Sequence, residues 1–203
     1  IPSGATNVLF SFYLRRPTVD PGDNFYVYRT TTANTPVSGT VPGAGYTAIY
    51  SDNTTVYPAF TLMSSVNLTA LAGTTVRLVF TFQSDGSNPH SNPAVDNVSL
   101  IYTPPAPTIT GYTPSSGCGT TASITIDGTN LSSASAVTIG GTAVSSITSN
   151  TATQIVAVVG TGSTGTVSVT TAGGTANGAG TFTVNTTPAA FNVTGGGTYC
   201  SSR

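Results

Sequence analysis

The sequence predicts an all-β chain folded as two successive antiparallel sandwiches, and three observations lead there. The five basic residues are all Arg and the six acidic ones are all Asp, so Lys and Glu are absent. Those two are good helix formers, whereas the Thr and Val that crowd this chain suit strands. From Asn7 onward, apolar and polar residues alternate in short runs bounded by Gly, Pro, Asn and Asp, which is the pattern of half-buried strands. Finally, Thr103-Pro104-Pro105-Ala106-Pro107 interrupts the pattern. Its prolines fix φ and remove backbone donors, so the stretch is a stiff extended spacer rather than an element. Aromatics are frequent before it and sparse after it. The expected organisation is a sandwich over 1–103, a hinge over 104–107, a second sandwich over 108–185, and a linker opening a further module over 186–203.

Composition narrows the function. A net charge near −1 gives no electrostatic reason to bind nucleic acid or anionic lipid. Hydrophobic residues make up 38% of the chain and are periodic, which argues against disorder. No apolar run reaches the 18 residues of a membrane-spanning helix. The chain opens at Ile1 without initiator Met or signal peptide, and reads as a piece of a larger secreted protein. An extracellular or cell-surface location is expected.

In the first half, strands are expected over Asn7–Arg16, Asn24–Thr31, Gly43–Tyr50, Tyr57–Ser64, Thr74–Gln83 and Ala94–Tyr102. The stretch from Asn67 to Gly73 reads as a turn or single helical turn. Six or seven such strands build an antiparallel sandwich. Its expected core is Phe10, Phe12, Phe25, Val27, Phe60, Leu62, Val76, Leu78, Phe80, Val95, Val98 and Leu100. Asn67–Ser84 and Ala94–Leu100 carry a resemblance to jelly-roll modules of bacterial surface proteins, related to carbohydrate-binding and MAM-type domains. That resemblance implies about eight strands, so one or two N-terminal ones are expected from upstream or from another chain by strand addition. It also implies a structural Ca²⁺.

The second half carries seven expected strands: Thr108–Tyr112, Ala122–Gly128, Ala136–Ile139, Thr142–Thr148, Gln154–Val159, Gly165–Thr171 and Gly180–Val184. That count and length fit an immunoglobulin-like sandwich. Pro114, Gly117, Ile124, Ile126, Gly128, Asn130-Leu131, Val137, Gly140-Gly141, Val167, Val169, Gly173-Gly174, Phe182 and Val184 together resemble the IPT/TIG family. The resemblance implies a spacer or binding module. Glycines 128, 140, 141, 173 and 174 are expected in turns with positive φ. In the tail, Val193-Thr194-Gly195-Gly196-Gly197-Thr198-Tyr199-Cys200 resembles a phrase of large Bacteroidetes-type surface proteins. Cys118 and Cys200 are within reach of one disulfide across an extended linker, in an oxidising compartment. The alternative is that Cys200 pairs inside the following module.

Catalytic chemistry has little to stand on. The single histidine, His90, sits in a polar loop, and without Glu a carboxylate pair would need two Asp. Asp85, Asp96 and Asn97 offer hard oxygen ligands to Ca²⁺; Asp96 also reads as an ordinary cap on neighbouring amides. Tyr26, Tyr28 and Tyr46 (with Tyr50 and Tyr57) are candidates for a glycan platform, because tyrosines alternating with Phe put the two types on opposite faces. They read equally as a second sheet's core. Arg15-Arg16 is expected to be a solvated strand end. The expected function is a non-catalytic structural or adhesive segment of a secreted bacterial surface protein or fibre, with self-association, other surface proteins or glycans as partners. An accessory carbohydrate-binding segment of a larger secreted hydrolase is the alternative.

Overall fold

The computed structural model describes residues 1–19, 22–31, 35–37, 40–86, 93–118 and 121–185. They form an all-β chain whose helical content is one short 3-10 turn. Among them no helix is long and apolar enough to cross a membrane. The chain divides into two compact units, Ile1–Pro104 and Pro105–Arg203.

The first unit is organised around β1 (Thr6–Arg16), whose even-numbered residues Val8, Phe10, Phe12, Leu14 and Arg16 all point inward. Strands β2 (Asn24–Thr30), β3 (Thr47–Asp52), β4 (Tyr57–Leu62) and β5 (Val66–Asn67) follow. A 3-10 turn at Thr69–Leu71, held by the Asn67 Oδ1 accepting from the Thr69 amide at 2.9 Å, leads to β6 (Arg77–Gln83) and β7 (Ala94–Thr103). β1 is the centre of a front sheet, with β4 and β5 along one edge and β7 along the other, all antiparallel. The back sheet runs β3–β2–β6, also antiparallel.

The two sheets close on aromatic rings. Phe12 lies 5.5 Å from both Phe10 and Phe80, 5.3 Å from Tyr50 and 6.1 Å from Phe25. Burying each such ring contributes about 1.5–3 kcal/mol. Met63 and Leu68 complete the core, with Leu78, Phe80 and Val95 packed at its margin. Five expected core residues are not there: Phe60, Leu62, Val98 and Leu100 are each at least 44% exposed, and Val76, just before β6, is not among the residues packed on the core. Leu62 pairs with Tyr13 on the outer face of the front sheet, and β7 lies at that sheet's edge. Alternation says which residues share a face; it does not say whether anything covers that face.

The second unit has β8 (Thr108–Thr113), β9 (Ser116–Cys118), β10 (Ser123–Thr129), β11 (Ala136–Ile139), β12 (Thr142–Ala143), β13 (Ser146–Asn150), β14 (Gln154–Val158), β15 (Val167–Thr171), β16 (Gly174–Asn177) and β17 (Thr183–Asn185). Sheets β13–β14–β10–β8 and β12–β11–β15–β16 enclose Ile124, Ile126, Ile155 and Ala157 from one and Val137, Ile139, Val167 and Val169 from the other. Phe182 and Leu131 fill the ends. The single strand expected over Thr142–Thr148 is two. The Val144 amide donates to Val137 O at 3.0 Å and the next amide, Ser145, to Val158 O at 2.8 Å, so the chain changes sheets between them. Strands β9, which pairs in parallel with β17, and β16 went unforeseen in the sequence.

Gly140, Gly141 and Gly174 have φ of +57°, +81° and +128°. Gly128 and Gly173 are not in that region, which corrects the positive-φ expectation for both; Gly173 does lie in the turn between β15 and β16, whereas Gly128 lies within β10. At Gly128 the reason is proximity: a Cβ there would lie 1.9 Å from the Thr108 carbonyl oxygen.

Candidate functional site

One end of the first unit is fastened by a buried cation. Arg16 continues the inward alternation of β1 and is 1% exposed, so the expected solvated doublet is corrected: only Arg15 faces water. The Arg16 Nη1 donates to the Asp52 carbonyl and Nη2 to the Asp23 carbonyl, both at 2.8 Å. The guanidinium fork thus ties β1 to one end of the back sheet's β2–β3 pair, where β2 begins after Asp23 and β3 ends at Asp52, a geometry its planar donors suit. The Asp52 carboxylate lies 3.7 Å from Nη1. It also accepts from the Thr54 and Thr55 amides at 2.9 and 3.0 Å and from the Tyr57 hydroxyl at 2.8 Å. Burial alone would raise this carboxyl's pKa, but the Thr55 and Thr54 amides and Tyr57 outweigh it and hold the group below the ordinary carboxylate range. Tyr50 is pushed well above the ordinary phenol range, first by burial and then by Tyr57 and Asp52. Tyr50 and Tyr57 therefore serve this network and the core.

The outer face of the back sheet carries different chemistry. Phe25 and Val27 turn into the core, so Tyr26 and Tyr28 turn out, their ring centroids 5.4 Å apart. Directly opposite on β6 stand Thr81, facing Tyr26, and Val79, facing Tyr28; Gln83 faces Asn24. Paired residues share a face. Tyr28 is only 9% exposed and the Tyr46 hydroxyl is buried, so the three tyrosines expected to form an open glycan platform lie covered or half-covered. What is open is a cleft of about 680 Å³ between β6 and the connection from β2 to β3. Val37, Thr40 and Val41 line one wall; Thr81, Gln83 and Ser84 line the other. The Thr81 Oγ1, Gln83 Nε2 and Tyr46 hydroxyl have no hydrogen-bond partner in the protein. Leaving a buried polar group unpaired costs about 1–3 kcal/mol.

The other expected site residues fall apart in space or into backbone roles. Asp85 follows β6 of the back sheet, where its amide donates to Asp23 Oδ1 at 3.3 Å. Asp96 and Asn97 are on β7 of the front sheet. There the Asp96 Oδ1 accepts from the Asn97 amide at 2.7 Å, beside a register shift where Asn97 takes φ +47°. Among the described residues no three of His, Cys, Asp or Glu gather to hold a metal. Cys118 ends β9 and has no free thiol. His90 and Cys200 lie outside the described residues. Thr81 and Gln83 were missed in the sequence because neither belongs to a motif. Their signal is positional, since a polar residue alternating with Phe80 and Phe82 on a strand must face away from the core.

Fold and site together define a two-sandwich β protein with a polar but uncharged cleft in its first unit. Comparison with known proteins adds a family for the second. Residues 107–199 match the model of the IPT/TIG domain, and the second unit is an Ig-like domain of that kind. No curated protein matches the chain. A solved structure described as a crystal structure with xylogluco-oligosaccharide aligns with 22% identity and a TM-score of 0.37, over 83% of this chain and 39% of that one. The chain thus spans well under half of that structure's length.

Proposed function

We propose that the chain is a non-catalytic adhesive segment of a secreted bacterial surface protein or extracellular fibre, in which the first, jelly-roll-like unit contacts another protein chain and the IPT/TIG domain acts as a spacer. The supporting observation is the uncovered apolar surface of the front sheet. Phe60 and Leu62 on β4 and Val98, Leu100, Ile101 and Tyr102 on β7 are all exposed. Leu100 is opposite inward-facing Phe10 and Ile101 opposite Leu9, so the apolar residues occupy both faces of β7. Among the described residues β7 is paired along one edge only, with β1. It carries no Lys, Arg or Pro. Natural edge strands are ordinarily blunted by such residues, and large exposed apolar patches mark interaction sites.

Sedimentation of the full chain tests this. The wild type is expected to self-associate with increasing concentration, and the double variant L100K/I101K to stay monomeric with an unchanged circular dichroism spectrum. A wild type that remains monomeric at its highest soluble concentration overturns the reading. A second reading, an accessory carbohydrate-binding segment of a larger secreted hydrolase, is favoured by the cleft on β6.

A further inference from the structure

We infer that the chain is built to carry tension, with the first unit as the element that yields and the second as the link that holds. The inference goes beyond the readings above and depends on neither self-association nor sugar binding. It follows from how the terminal strands of each unit are paired. Load along the chain enters a unit at its two chain ends, and strand direction decides what it meets there. Ladder hydrogen bonds lie across the strands. A pull along the strand axis therefore strains all the bonds of a ladder together. A pull at the open end of a pair breaks them one after another.

In the first unit the chain enters through β1 and leaves through β7, and these two are antiparallel neighbours. Thr6, the first residue of β1, stands opposite Thr103, the last of β7. Both ends thus leave from the same end of one ladder. Tension acts on the Thr6–Thr103 pair first, then on Leu9–Ile101 and Phe10–Leu100 in turn. A register shift between Thr6 and Leu9 interrupts the ladder just where peeling starts. Among the described residues β7 has no second neighbour to hold it. Ahead of β1, Ile1 and Pro2 meet Gly73 and Thr74 through isolated backbone bonds, which are lost first.

The second unit is strung the other way. The chain enters through β8 and β9 and leaves through β17. β9 and β17 run parallel, with Ser116 opposite Thr183, Gly117 opposite Val184 and Cys118 opposite Asn185. Entrance and exit therefore lie at opposite ends of that ladder, and tension slides the two strands past each other. The Thr183 amide donates to Ser115 O and the Val184 amide to Thr164 Oγ1, both at 2.9 Å. β9 also packs closely, since a Cβ on Gly117 would lie 2.5 Å from that of Ala122. β8 is loaded along its own axis too, against its antiparallel partner β10. Its entrance is stitched by the Asn130 Nδ2 donating to Ala106 O at 2.9 Å and by the Thr108 and Thr129 hydroxyls, 2.8 Å apart.

Single-molecule stretching of the full chain, held at its two termini in reducing buffer, tests the inference. Reduction is needed because a Cys118–Cys200 bridge would carry the load from the tail into β9 and past β17. Two events are expected, told apart by length. At about 3.5 Å per extended residue, opening the first unit between Thr6 and Thr103 releases about 34 nm, and opening the second between Thr108 and Asn185 no more than about 27 nm. The longer release should come at the lower force. Forced unfolding follows the unfolding barrier rather than the equilibrium stability, so this order should hold whichever unit resists denaturant better. Ala94 stands opposite Arg15 at the far end of the β1–β7 ladder. Moving the C-terminal handle to Ala94 turns peeling into sliding and should shift the first unit's opening to higher force. T183P deletes the donor to Ser115 O and should lower the force of the shorter release alone. Equal forces, or the shorter release coming first, overturn the inference, as does an Ala94 attachment that opens no harder than the terminal one. A folded T183P chain that holds as wild type does would overturn the role given to β9 and β17.

Discussion

Phe10 and Leu100 stand opposite each other in the β1–β7 register, yet Phe10 is fully buried and Leu100 is 44% exposed. The back sheet covers Phe10 through Phe80, whose ring is 6.2 Å away, while Leu100 on the edge strand is left largely uncovered. The pair should therefore differ in energetic weight. Phe10→Ala is expected to cost about 3–5 kcal/mol, and Leu100→Ala less than about 1 kcal/mol. Chemical denaturation of the full chain reads both; similar losses would show that Leu100 is covered in solution.

Arg16 should be among the costliest residues to lose. Truncation to Ala strands the Asp23 and Asp52 carbonyls and a largely buried carboxylate, for an expected loss of about 3–5 kcal/mol. Lys cannot serve both carbonyls with the same planar fork, so Arg16→Lys should fall between Ala and wild type. Arg15→Ala, one residue away but exposed, should stay within about 0.5 kcal/mol. Equal effects at 15 and 16 would count against the buried fastening.

The Asp52–Tyr50 pair sets two pH limbs with opposite sign. Asp52 titrates lower in the folded chain than in the unfolded one. Its stabilisation is complete above about pH 5 and is lost as pH falls through the carboxylate range near 3.9 and below. Tyr50 titrates higher when folded, so its contribution is complete below about pH 10 and fades as pH rises beyond that. Melting temperature measured against pH should show a flatter acid limb for Asp52→Asn and a flatter alkaline limb for Tyr50→Phe. Unchanged limbs in both variants would mean other groups set them.

In the second unit Gly128 is held by contact rather than by dihedral. Because the obstructing atom is the Thr108 backbone oxygen, Gly128→Ala must shift β8 or β10 and should cost at least about 1–3 kcal/mol. Gly43→Ala in the first unit, where a Cβ meets nothing within 4 Å, is the control and should change stability by less than about 0.5 kcal/mol.

Cys118 has no free thiol, and the chain holds just one other cysteine, Cys200. Peptide mapping without reduction is expected to recover the two as one cross-linked species. Recovery of free, alkylatable Cys200 would show that the two are not joined.

Much of this architecture is legible residue by residue. The inward set Val8, Phe10, Phe12 and Leu14, the strand bounds at Asn24, Tyr57, Ala94 and Gln154, and the IPT/TIG character of the second unit all follow from alternation, turn residues and recurring Gly. These are local properties, set by a period of two and by which residues tolerate a turn. Arg16 reads from its charge as a solvated strand end, and its burial comes only with the structure.

What the sequence could not show is what lies across from each strand. Whether Leu100 is core or surface depends on how far the back sheet extends. Whether Tyr28 is a platform or a covered ring depends on what packs on the outer face of the back sheet, where it proves 9% exposed. The crossing at Val144–Ser145 depends on two consecutive amides finding carbonyls in opposite sheets. Periodicity assigns a side chain to a face through its own backbone, but burial and hydrogen-bond satisfaction belong to pairs of segments distant in the chain. Only the packed structure brings those segments together, and so it alone reveals the cleft at Thr81 and Gln83.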